Sequence, residues 1–254
     1  MRNLLVKIRF VGINYHGFQI QKNAVTVQQV FQEALNIVLG FTPDIKGCSR
    51  TDSGVNAYEY AISLKIEDDI SCDRLKNALN YHLPKDIRVI SIGEVDDEFH
   101  ARYSCKAKRY RYIIYNDYTM DPFLEGRALQ VKKDIDPILL NEAAQCFVGT
   151  HDFRPFSGNT SMEENTVRTV YSASFTKKEK IATFLVTADG FLYNMVRIMV
   201  GVLLEVNGNR LTKEDILEIF ETGIRTRRCI TAPAKGLYLD RVFYSFGELD
   251  GKAD

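Results

Sequence analysis

The sequence predicts an α+β protein built on a mostly antiparallel sheet. Two observations carry that expectation. Apolar residues recur with period two in stretches spread along the whole chain, and helical segments are interspersed with them in both halves. With 254 residues, 45 % apolar and 26 % charged, the chain can bury a large core as one large domain or two intimate halves.

The elements follow in order. A strand is expected at 2–11, then a Gly-containing loop and a helix at about 27–40, with Thr26 as its N-cap and Gly40 as its stop. Strands at 45–49 and 57–66 precede a helix at 72–82 that ends before Pro84, and a strand at 87–95 follows. The second half offers a strand at 106–116 and a helix at 135–147 closed by Gly149. Strands at 168–176 and 181–188, helices at 190–206 and 212–222, and a strand at 237–245 complete it. The loop 151–166, rich in Gly, Ser, Asn and Thr, is expected to be the most mobile segment.

Composition excludes several classes. No apolar run is long enough to cross a bilayer, and Met1 to Phe10 alternates like a strand rather than a signal peptide. The five cysteines are scattered and form no Cys-x-x-Cys pair, which points to a reducing cytoplasm and against a disulfide framework. Four His residues without ligand spacing argue against a metal. Formal net charge is zero, so any binding of nucleic acid must come from local patches. Arg102–Arg111 holds five basic residues and no acidic one, and Arg225–Lys235 holds four and none.

Three segments carry chemistry. Arg50-Thr51-Asp52-Ser53-Gly54-Val55 places a carboxylate at a turn leading into a strand, where a rigid sheet can present it. By itself such a turn usually has no chemistry. The run 191–206 is apolar on every side of a helical wheel, and Arg197 lies near the middle of the expected helix. A buried guanidinium needs a partner unless it reaches the surface along its own stem, and Asp52 is an attractive one. That pairing would keep the acid ionised and oriented as a nucleophile or base. On the strand 106–116, Lys106, Lys108, Tyr110 and Tyr112 share one face while Arg109 and Arg111 share the other. Cations beside aromatic rings suit phosphates next to an extruded base. A Tyr-rich core strand with a basic edge is the plainer meaning.

Together these segments resemble the tRNA pseudouridine synthase A family over nearly the whole chain. Its Arg-Thr-Asp-x-Gly-Val signature is matched by Arg50 to Val55, which places the catalytic aspartate at Asp52. Phe99-His100-Ala101-Arg102 with Lys108-Arg109-Tyr110-Arg111-Tyr112 matches the segment of the active-site tyrosine, at Tyr110. Gly190 to Arg197 matches the buried helix whose arginine pairs with the aspartate. Ala232 to Leu239 looks like the C-terminal signature, and His151-Asp152-Phe153 also fits. The chain departs at Phe10-Val11-Gly12, where Tyr-Asp-Gly is usual, and at Gly17-Phe18-Gln19, where Gly-Trp-Gln is usual. Ser53 and Asn56 stand in place of Ala and His.

The resemblance implies a pseudouridine synthase-like fold, a single catalytic unit over 1–254. Its approximate halves would be 1–104, carrying Asp52, and 105–246, carrying Tyr110 and Arg197, similar to each other and set around a central cleft. It implies isomerisation of uridine to pseudouridine at positions 38 to 40 of the tRNA anticodon stem–loop, without cofactor or metal, by a cytoplasmic homodimer. Asp52 and Arg197 would be catalytic, Tyr110 would stack on the flipped uracil, and Arg50 would hold phosphate or fill the vacated space. Lys106, Lys108, Arg109, Arg225, Arg227 and Arg228 would contact the RNA backbone. Two other readings stand beside it. An aspartic protease would need a second Asp-Ser/Thr-Gly copy, which the sequence lacks and self-dimerisation would have to supply. A non-catalytic RNA-binding module or RNA chaperone would explain the Tyr110 strand but not Asp52 with a buried Arg197.

Overall fold

The structure, a computed structural model, describes residues 1–158 and 165–249. Its first elements are β1 (Arg2–Phe10), α1 (Val27–Leu39), β2 (Ile45–Gly47), β3 (Asn56–Ile66), α2 (Cys72–His82) and β4 (Ile87–Val95). Then come β5 (Ala107–Asn116), β6 (Leu129–Val131), α3 (Pro137–Gln145), β7 (Gly149–Asp152), β8 (Val167–Lys178) and β9 (Ile181–Ala188). The chain continues through α4 (Met195–Asn207), α5 (Lys213–Thr222) and β10 (Leu237–Phe243). Among the described residues, no helix is long and apolar enough to cross a membrane.

Two compact units result. The first comprises Met1–Lys106 and the chain from Tyr238, the second Ala107–Leu237. In the first, β4, β1, β3 and β10 are neighbours in that order, and β2 also pairs with β3. The pairings are antiparallel except β10 with β3, which run parallel. Leu4, Val6, Ile8 and Phe10 alternate into the core, the period-two signal that marked β1. α1 buries Val27, Phe31, Ala34 and Leu35 as a helical stripe. Its Thr26 hydroxyl caps the Gln29 N–H, and Gly40 closes it at φ 79°, both as the sequence indicated.

The second unit orders its strands β6, β5, β9, β8, β7, with only β5 and β6 parallel. Its core includes a ring cluster in which His151 stacks on Phe220 at 4.6 Å and Phe153 meets the Phe220 ring edge-on at 5.2 Å. The His151-Asp152-Phe153 motif therefore contributes packing.

Several expectations shift. The sequence reading ran the second half to 246, whereas β10 lies with β3 in the first unit, because strand pairing joins residues remote in sequence. The expected loop 151–166 begins with the end of β7 and a 3-10 turn at Arg154–Phe156, and its residues 159–164 lie outside the described ones. The helix expected from 190 starts at Met195, because Asn194 at φ 60° is left-handed and interrupts the helical path. Arg197 is thus in the first turn of α4, not near its middle. The helix is buried as expected: of its thirteen residues, only Arg197 and Leu204 are not among the buried ones.

Candidate active site

Asp52 belongs to the first unit, on the turn between β2 and β3. The Val55 N–H closes this turn on the Asp52 carbonyl at 3.2 Å, and Gly54 supplies a left-handed step at φ 78°. Neighbouring loop residues clamp it. The Gly54 N–H donates to the Tyr15 carbonyl at 3.1 Å, and the buried Gly12 N–H donates to Asn56 Oδ1 at 2.9 Å. A Cβ on Gly12 would overlap the Val55 carbonyl oxygen, and one on Gly17 (φ 82°) would overlap that of Thr51. Only glycine permits this approach.

Aromatic rings complete the clamp. Phe18 stacks on Tyr60 with centroids 4.2 Å apart, and the Tyr60 hydroxyl donates to the Ser49 carbonyl. Tyr15 donates to Asp86 Oδ1 at 2.7 Å, and burial, with that hydrogen bond, raises its pKa well beyond the ordinary range, so it stays a donor. Asp52 is half-buried and Arg50 exposed on this braced turn. The departures from the family pattern fall within the bracing. Asn56 receives Gly12, Phe18 stacks on Tyr60, and the Ser53 hydroxyl lies 3.5 Å from the Tyr15 carbonyl.

Tyr110 and Arg197 belong to the second unit. Tyr110 lies on β5, buried, with Phe191 edge-on to its ring at 4.9 Å. Arg197 is half-buried. Its Nε donates to the Ala232 carbonyl at 2.7 Å and its Nη1 to Asn194 Oδ1 at 2.8 Å, while the Ala232 N–H returns a bond to the Arg197 carbonyl at 3.1 Å. The next residue, Pro233, accepts from the Tyr112 hydroxyl at 2.7 Å. Burial pushes the Tyr112 pKa up and the Arg197 charge opposes this, so Tyr112 remains a neutral donor. The Ala232-Pro233 step thus aligns a cation and a phenol through two successive carbonyls.

The basic residues divide. Lys106 and Arg227 are exposed, and Lys108 and Arg109 are half-buried. Arg225 donates from Nη1 to the Ser157 carbonyl at 2.6 Å and from Nη2 to that of Cys229 at 2.8 Å. Arg228 donates to Glu205 at 3.0 Å. Arg225 and Arg228 therefore anchor their own loop. Among the described residues, no three His, Cys, Asp or Glu side chains gather as metal ligands.

Sequence reasoning missed Asn194, Tyr112 and Glu205 as supporting groups. Glu205 had a usable signal. It is a second charge in the same apolar run as Arg197, and the same desolvation argument demands a partner for it.

Each unit therefore holds candidate residues of the motifs singled out in the sequence, Asp52 in the first and Tyr110 and Arg197 in the second. A family model described as tRNA pseudouridine synthase matches residues 7–104 and 143–245, and the chain belongs to that family. The matched stretches contain Asp52 and Arg197, while Tyr110 falls between them. Relatives named tRNA pseudouridine synthase A include one from Acetivibrio thermocellus, 43 % identical over 96 % of this chain and 100 % of the relative. One from a Thermoanaerobacter species is 41 % identical over the same shares. One from Staphylococcus aureus is 39 % identical over 97 % of this chain and 93 % of the relative.

Proposed function

We propose that this protein isomerises uridine to pseudouridine in tRNA, with Asp52 as the residue that engages the nucleoside. The observation that carries the reading is the turn itself: a half-buried carboxylate in the family's signature, braced by glycine contacts and stacked rings. The reaction breaks the bond between ribose C1′ and uracil N1 and forms one between C1′ and C5. N1 gains a proton and C5 loses one, so atoms and electrons balance without an external oxidant or energy source. Asp52 either attacks C1′ or takes a sugar proton.

In this reading Arg197 is the second catalytic residue, and Tyr110 stacks on the flipped uracil. Arg50 meets phosphate or fills the space the base leaves. Lys106, Lys108, Arg109 and Arg227 supply backbone contacts with a salt-dependent share of affinity. The finer assignments rest on the family pattern: uridines at positions 38 to 40 of the anticodon stem–loop, and a cytoplasmic homodimer with one tRNA touching both subunits. Two modest basic patches joined in a dimer also answer the zero net charge.

Release of tritium from C5-labelled uridine in tRNA tests the reading. Wild type should release label, and Asp52→Asn should release none while tRNA affinity stays within a few-fold, because phosphate contacts supply most of the affinity. Wild type that binds tRNA but releases no label would make the protein a binding module instead.

A further inference from the structure

α4 carries a second charge about two turns beyond Arg197, roughly 12 Å along the axis. Glu205 is buried, yet both its oxygens are met. Arg210 reaches Oε2 through Nε at 2.7 Å and Oε1 through Nη2 at 2.5 Å, and Arg228 reaches Oε2 through Nη1 at 3.0 Å. The Arg210 hydrogen bond holds this carboxyl below its ordinary range against the pull of burial, and Arg228 adds to the effect. Arg210 sits just past the helix. Arg228 comes from residues 223–233, a segment with no helix or strand of its own.

That segment ends on the Ala232 and Pro233 carbonyls, which hold Arg197 Nε and the Tyr112 hydroxyl. Lacking a backbone ladder, it depends on discrete fastenings. Arg225 ties it to Ser157, and the Ile230 carbonyl presses so closely on Gly201 of α4 that a Cβ there would overlap it. Arg228 is a fastening to a charge buried in the helix.

We propose that Glu205 and Arg228 are positioning residues for the isomerisation: their ion pair pins residues 223–233 to α4, so that the Ala232 carbonyl holds the Arg197 guanidinium in its working orientation. The inference rests on the activity proposed above and on the part Arg197 plays in it. It assigns Arg228 differently from a phosphate contact, and the two roles leave different kinetic traces. A phosphate contact acts on binding and on its salt dependence. A positioning residue acts on kcat, because a small misplacement of a catalytic group is felt mainly in the chemical step.

Steady-state tritium release from tRNA, with thermal melts of each variant, separates them. Arg228→Met and Glu205→Gln should each lower kcat by about tenfold to a hundredfold while KM and the salt slope stay at wild-type values. Arg228→Lys should recover most of kcat, since the observed contact uses a single guanidinium nitrogen. The double variant should fall little below the worse single one, as expected of partners in one interaction. A folded Arg228→Met with unchanged kcat overturns the inference. So does a raised KM with a salt slope reduced by about one, which would make Arg228 a phosphate contact. If Arg228→Met does not fold at the assay temperature, the nearly isosteric Glu205→Gln carries the same test. Wild type without label release sinks the underlying activity instead, and does so before any variant is compared.

Discussion

In the first unit, the turn around Asp52 is held by close packing together with backbone hydrogen bonds that involve no charged group. Two glycines admit backbone where no side chain fits, and Phe18 lies flat on Tyr60. In the second unit, the start of α4 around Arg197 is held by polar contacts: an amide oxygen, a backbone carbonyl, and behind that carbonyl a segment tied down by Arg225 and Arg228. The backbone carrying Asp52 is positioned by shape and the Arg197 guanidinium by hydrogen bonds. Each suits its residue. A short acid has two side-chain torsions and so follows its backbone closely, whereas a long arginine stem must be caught at its head. Steric bracing ignores pH and salt, while ionic bracing responds to both.

That contrast can be broken or sharpened by substitution. The largest effect is expected at Gly17→Ala, which forces a side chain into a left-handed conformation and against the Thr51 carbonyl. A loss of about 3 kcal/mol is expected in urea denaturation, together with loss of activity. A variant as stable and active as wild type would show that the turn is not held by shape.

Glu205→Gln comes next, at about 2 kcal/mol near neutral pH, because a buried carboxylate with two arginines loses its charge-assisted bonds. The pH dependence follows from the lowered pKa. Stability from Glu205 is fully present above its ordinary value of 4.5 and is lost as pH falls through the lower folded value. The gap between wild type and variant in thermal melts should therefore be constant at neutral pH and shrink below about pH 4.5. A gap that persists unchanged at pH 3 would mean the loss is one of packing.

The smallest effect is expected at Tyr60→Phe, which keeps the Phe18 stack and removes the hydroxyl with its bond to Ser49. About 1 kcal/mol should be lost, with the gap to wild type unchanged from pH 8 down to pH 3, where the gap for Glu205→Gln has shrunk. A larger or pH-dependent loss would mean that polar bonding, not ring packing, secures the first unit.

Much of this was legible along the chain. Thr26 and Gly40 bracketed α1, alternation marked β1, and the apolar run announced a buried α4, because caps, periods and burial are local consequences of side-chain chemistry. The three- and four-residue strands β2, β6 and β7 are too short to show a reliable period, and only the first of them was anticipated. Arg197 stood out because a charge in an apolar run is anomalous on its face, and Asp52 and Tyr110 stood out through the motifs that resemble the family's. Their supports did not. Nothing local in Asn194 or Ala232 indicates that each would accept a hydrogen bond from Arg197.

The sequence by itself determined the types of the longer elements and the family, and it singled out the candidate residues, since composition, period and motif are properties of neighbours along the chain. Tertiary structure alone decided that the C-terminal strand lies beside β3, that Arg197 begins its helix, and that Glu205 holds a distant loop. Those outcomes depend on which backbone donors and acceptors meet after long-range closure, and no local pattern encodes that pairing.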